Sequence, residues 1–102
     1  MAQAPGEFDG VAVLDRVFLP DGDQVCLLEF VLGGPKSQDN LLRLASDGSV
    51  VWRAEPPEAS AGDSWVSVET DKAGRLVANS WSCWRAALDP ATGRVISKYF
   101  TK

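Results

Sequence analysis

The sequence predicts an all-β protein built as two four-stranded antiparallel meanders. Three observations carry that prediction. Segments of six to nine residues rich in Val, Leu and Trp are punctuated by Gly-containing turns, a pattern of short strands rather than helices. No stretch keeps apolar residues at i, i+3, i+4 and i+7 over the roughly 10 to 12 residues that a helix needs. The turn around Gly48 recurs around Gly93 between similar flanks, Leu44 to Val51 against Leu88 to Ile96, so the meander reads as a unit used twice.

Phe8 to Leu19 reads as the first long strand, with Val11, Val13 and Val17 on one face and Ala12, Leu14 and Phe18 on the other. Asp15 and Arg16 interrupt the two faces, which points to a bend or bulge. In Pro20-Asp21-Gly22-Asp23 the proline fixes φ and the glycine accepts a positive φ, so a turn is expected. Gln24 to Leu32 is apolar on both faces apart from Glu29, as in a strand covered on both sides by its own chain or by a partner chain. Gly33 to Asn40 is a loop by composition. Leu41 to Leu44 and Val50 to Trp52 flank Ser46-Asp47-Gly48-Ser49, where a type I′ hairpin turn is expected.

Glu55 to Asp63, with Pro56, Pro57 and Gly62, suits neither regular structure and divides the chain internally. Repeat one then spans about residues 8–54 and repeat two about 65–100, within a single all-β domain covering 1–102. In the second repeat Trp65 to Thr70 and Arg75 to Trp81 pair across Gly74. A short Ser82-Cys83 link leads to Trp84 to Leu88, and the last strand starts at Arg94. In the turn between these last two, Asp89 can bond the backbone two residues on, Pro90 fixes φ, and Gly93 takes the left-handed position.

The segment Arg85-Ala86-Ala87-Leu88-Asp89-Pro90-Ala91-Thr92-Gly93-Arg94-Val95-Ile96 resembles the outer hairpin of quinoprotein-like (PQQ-like) β-propeller repeats. Those run an apolar strand into Leu-Asp, two residues, Thr-Gly, a basic residue and an apolar pair ending in Trp. The first copy keeps the closing tryptophan as Trp52 but lacks Thr-Gly, whereas the second keeps Leu88-Asp89 and Thr92-Gly93 but has Ser97 where the tryptophan would fall. The resemblance covers most of 41–54 and 65–100 and implies blade-like meanders. It implies no cofactor, since the quinone site of that family is assembled across many blades. Propellers have four to eight blades. Two blades therefore predict either a part of an oligomeric propeller or two sheets packed within one chain as a sandwich or flattened barrel. The expectation is a compact unit that self-associates, with the strand edges beside Trp65 and Phe100 covered by another part of the protein or by another copy of it.

Ten Lys and Arg against 14 Asp and Glu give a net charge of −4, with the cations scattered. That balance argues against nucleic acid, whose affinity comes from phosphate neutralisation. No apolar run approaches the roughly 20 residues that cross a bilayer, and Met1 to Glu7 lacks the features of a signal peptide. A cytoplasmic protein without membrane contact is expected, with Cys26 and Cys83 as free thiols and Cys26 acting as a small core hydrophobe.

The sequence contains no histidine, which removes the usual general base and the commonest metal ligand. Gly33-Gly34-Pro35-Lys36 has neither the spacing nor the helix of a phosphate loop. Cys83 lies between Trp81 and Trp84 with Arg85 beside it, and a neighbouring cation can activate a thiol. Four tryptophans in 102 residues suggest binding as well as packing. Core packing is the default for such rings; Trp84 shares a face with Ala86 and Leu88 and should point inward, while Trp81 shares its face with Val77 and Asn79 and is the better candidate for exposure. The expected function is a non-enzymatic interaction module of an inhibitor or immunity type. It would bind a protein partner or a second copy through Trp81, Cys83, Trp84 and Arg85, with no metal and no cofactor. A small-ligand or carbohydrate binder using Trp81 and a thiol enzyme centred on Cys83 are the alternatives.

Overall fold

The computed structural model describes residues 7–8, 11–29, 40–57 and 63–101, and these form nine strands. They are β1 (Glu7–Phe8), β2 (Val11–Phe18), β3 (Gln24–Leu28), β4 (Leu41–Leu44), β5 (Val50–Arg53), β6 (Trp65–Thr70), β7 (Leu76–Ser80), β8 (Trp84–Leu88) and β9 (Val95–Phe100). Among the described residues there is no helix, and so none long and apolar enough to cross a membrane. The strands form two antiparallel sheets in meander order, β1-β2-β3-β4-β5 and β6-β7-β8-β9. The fold class is therefore the predicted one, with β1 added beside β2. The sheets do not close into a barrel. The far end of the expected strand Gln24 to Leu32 and most of the loop to Asn40 lie outside the described residues.

The interruption at Asp15 is a register shift between Val13 and Asp15 against β3. The hairpin turns follow one plan. Gly22, Gly48 and Gly74 each donate a backbone hydrogen bond to the residue three before, Leu19, Ala45 and Asp71, at 3.1, 2.9 and 2.9 Å. Each of these glycines has a positive φ. At Gly48 the expected type I′ turn is not formed. Such a turn needs positive φ at Asp47 as well, and Asp47 does not have it. The chain instead makes an ordinary turn followed by one left-handed glycine, which a single Asp-Gly pair is enough to specify. The β8–β9 turn is one residue longer, and there Gly93 donates to Asp89 O at 2.7 Å.

Strand alternation decides which side chains meet. Val25, Leu27, Leu41, Trp52 and Ala54 of the first sheet share a core with Trp65, Val68, Leu76, Ala78, Ala86 and Leu88 of the second. The two sheets thus pack sandwich-like through one face each. The other face of the first sheet buries Cys26, Leu28, Leu42 and Leu44 with Val11 and Val13, so β3 is covered on both sides as its composition predicts. Among the described residues the second sheet has no such second core, and its outer face carries the buried Val77 with Ser67, Glu69, Asn79, Arg85 and Tyr99.

Two sets of hydrogen bonds fix the sheets on each other. At one end the buried Asn40 side chain donates to Trp65 O (2.7 Å) and Leu28 O (3.2 Å) and accepts from Trp65 N (3.0 Å). The Trp65 indole donates to Ala54 O at 3.0 Å. The edge beside Trp65 is covered by another part of the chain, one of the two covers expected: the residue is fully buried, and β6 lies against β2 and β3. At the other end Trp52 Nε1 and Arg43 Nη1 both donate to Pro90 O, at 2.8 and 2.6 Å. Arg43 also pairs with Asp21 and Asp23. The closing tryptophan of the first copy therefore sits on the β8–β9 turn of the second.

Gly93 is needed twice over. Its φ is +77°, and a Cβ there would lie 2.5 Å from Trp52 Cε3. Gly48 has φ +90° with nothing within 4 Å of such a Cβ. Gly48→Ala is expected to cost only left-handed strain, about 1 to 2 kcal/mol. Gly93→Ala adds an overpacking cost of about 1 to 3 kcal/mol. Urea unfolding of the two variants should separate them, and equal midpoints would contradict the docking of Trp52.

Candidate functional site

The β7–β8 connection is held rigid from beneath. The buried Asp63 carboxylate accepts hydrogen bonds from the amides of Ser64 (2.9 Å) and Ser82 (3.0 Å) and from the Ser82 hydroxyl (2.7 Å). Ser80 Oγ lies 3.0 Å from Ser82 Oγ and accepts from Trp84 N at 3.3 Å. Trp81 N donates to Ser64 O at 2.7 Å. Buried polar groups paired in this way favour one conformation, although the buried Ser64 Oγ has no hydrogen-bond partner among the described residues. The turn they enforce puts Cys83 at φ 73°, a left-handed angle that side chains adopt rarely.

The four residues singled out by sequence are close in the chain, but the fold separates their side chains. Trp81 is in the turn and 57% exposed. Cys83 is also exposed in the turn, its sulfur 3.9 Å from Trp81 O. Trp84 faces the side of the sheet that carries Ala86 and Leu88, but near the rim of the core, where it is half-buried. Its ring meets Phe100 edge-on at 5.4 Å between centroids, and Lys98 Nζ sits 4.7 Å from its own ring centroid. Arg85 lies on the opposite face, where Nη2 donates to Glu69 Oε2 at 2.7 Å. That bond is the main cause holding the Arg85 guanidinium above its ordinary pKa. The cation next to Cys83 in sequence is thus engaged by a carboxylate on another strand.

What comes together instead is the outer strand β9. Among the described residues it pairs only with β8, in the register Trp84↔Phe100, Arg85↔Tyr99, Ala86↔Lys98 and Ala87↔Ser97. Thr101 N donates to Cys83 O at 2.7 Å. Antiparallel alternation then turns the backbone groups of Tyr99 and Ser97 towards β8 and those of Lys98 and Phe100 away from it. Ile96, Tyr99 and Phe100 are all more than half exposed. Sequence reading placed an open edge at Phe100 but missed Ile96, Lys98 and Tyr99.

On the outer face, Val77, Ala87, Ser97 and Tyr99 line a depression of about 270 Å³ between Arg75 and Arg85. Arg75 Nε pairs with Asp71 at 2.8 Å. The Asp71 carboxyl is lowered from its ordinary pKa, first by the Arg75 backbone amide. Each guanidinium here already has a carboxylate partner. Among the described residues no three His, Cys, Asp or Glu side chains gather as a metal ion would require.

The two thiols differ in environment. Cys26 is buried, and burial pushes its pKa up against a smaller opposing effect of Arg16. A folded pKa above the unfolded one gives stability that is present below the ordinary thiol pKa and lost as pH rises through the raised value. Iodoacetamide at neutral pH should therefore label Cys83 in the folded protein and Cys26 only on unfolding. An alkaline loss of stability should be absent in Cys26→Val. Equal labelling of both thiols in the folded protein would contradict this placement.

Residues 12–100, from β2 to the end of β9, match the family model described as Domain of unknown function (DUF7957), and the chain belongs to that family. No curated protein and no solved structure matches it.

Proposed function

We propose that this member of the DUF7957 family is a non-enzymatic protein-interaction module that engages its partner through the β9 edge. The observation that carries the reading is the concentration of exposed Ile96, Tyr99 and Phe100 on a strand whose outward backbone groups have no neighbouring strand among the described residues. Large aromatic side chains presented on a fixed element are the usual anchors of an interface. Trp84 and Trp81 adjoin this edge, with the Asp63–Ser82 network fixing the turn that presents Trp81 and Cys83. An inhibitor or immunity role fits an acidic module of this size that offers a surface rather than a cleft.

The blade-like reading, with its resemblance to quinoprotein-like repeats, is the architectural part of the proposal. Its support is the docking of Trp52 of one copy on the turn of the next. Ser97 stands at the corresponding place in the second copy, so that contact could not be repeated towards another subunit. A second reading, a small-ligand binder, draws on the depression between Arg75 and Arg85, which Trp81 does not line.

The test uses the double variant Tyr99→Ser/Phe100→Ser, in cross-linking within the source cells and in sedimentation equilibrium. The wild-type chain should form a specific cross-linked complex with another protein or with itself. The variant should lose it while keeping the near-ultraviolet signal of buried Trp65. A complex retained in full by the variant, or none formed by the wild type, would contradict the proposal.

A further inference from the structure

The charge of this chain is divided in a way that its total conceals. The first 89 residues hold all 14 carboxylates and seven cations, whereas the last thirteen hold Arg94, Lys98, Lys102 and no carboxylate. The open edge is therefore the cationic end of an acidic molecule. We propose, resting on the interaction-module reading, that β9 takes up an extended acidic segment of a partner protein, which adds to the second sheet as a fifth strand.

Three features argue for that occupant. The outward N–H and C=O groups of Lys98 and Phe100 are those that a further antiparallel strand would pair, and strand addition draws its affinity from such main-chain bonds. Tyr99 and Phe100 point to opposite faces of the sheet and are 60% and 53% exposed, so an added strand would find an apolar neighbour on each face. Charge selects between partners. A second copy paired through β9 would bring two carboxylate-free cationic strands together, and opposed like charges disfavour such pairing. A strand carrying Asp or Glu meets Lys98 and Arg94 with opposite charge. Lys98 also blunts the edge against self-pairing, as lysines on edge strands do.

The experiment titrates the full chain with a fluorescent peptide of about ten residues alternating valine and glutamate. Three comparison probes are used: its valine–lysine counterpart, the same acidic peptide N-methylated at every second amide, and a single-stranded oligodeoxythymidylate. The acidic peptide should bind, more weakly as salt rises. The lysine and N-methylated peptides should bind on the order of tenfold more weakly or not at all. Lys98→Pro removes an outward N–H without breaking a bond to β8, a substitution tolerated on edge strands. It should abolish binding, and Lys98→Glu should weaken it about tenfold. The peptide comparisons use the unaltered chain and so stand even where a variant fails to fold. Equal binding of the acidic and lysine peptides, binding unaffected by N-methylation, or preference for the oligonucleotide would overturn the proposal. Self-association abolished by Lys98→Pro would assign the edge to a second copy; it overturns the acidic segment but leaves the interaction module standing. No binding of any probe, without self-association, overturns the acidic segment, and the reading beneath it falls only if the cross-linked complex is also missing.

Discussion

The side-chain amide of Asn40 holds the two sheets in a single arrangement because it answers both backbone groups of one buried residue. Trp65 offers an N–H and a C=O where water has no access, and the amide supplies one acceptor and one donor to match. Leucine would supply neither, aspartate would set an oxygen against two carbonyls, and glutamine would carry the amide one methylene too far. Leaving such a group buried and unpaired costs about 1 to 3 kcal/mol, a large share of the roughly 5 to 15 kcal/mol that keeps a domain folded. The clamp also fixes which edge of the second sheet is spent. Once β6 is bound to the first sheet, β9 is the strand of the second sheet left open among the described residues, and the proposed binding edge follows from that.

The two halves share turn chemistry yet differ in what their faces do. The first sheet has buried side chains on both faces and exposes Leu14, Phe18, Val50 and Val51 among its large apolar residues. The second buries one face, lines the other with paired ions and small residues, and ends in an aromatic, cationic strand. Trp52 on the β8–β9 turn couples the halves, and the turn accepts it because Gly93 has no side chain. Since Ser97 replaces the tryptophan in the second half, the same sequence that supports a repeat also shows where the repeat stops coupling.

Much of the fold was legible in sequence because its signals are local. Gly22, Gly48, Gly74 and Gly93 mark turns whichever way the sheets pack, Asp15 marks the bulge, and unbroken apolarity marks the strand buried on both faces. Asn40 was illegible: composition makes it a loop residue, and only the approach of Trp65, 25 positions later, gives it a task. The type I′ expectation failed because Asp-Gly serves two turn families equally well. The grouping of Trp81, Cys83, Trp84 and Arg85 rested on chain proximity, and neighbouring strand residues point to opposite faces, so the sheet divides Trp84 from Arg85. Alternation gives the parity of a side chain, but not whether its face meets another sheet or solvent.

The central claim is that β6 is the clamped edge and β9 the open one, and amide hydrogen exchange read residue by residue tests it most directly. The Trp65 amide should exchange only on global unfolding, and those of Ser97, Tyr99 and Thr101 should be slow. Lys98 and Phe100, facing outward on the same strand, should exchange fast in the isolated chain. Fast exchange at Trp65, or protection at Lys98 and Phe100 equal to that at Tyr99, would contradict the account.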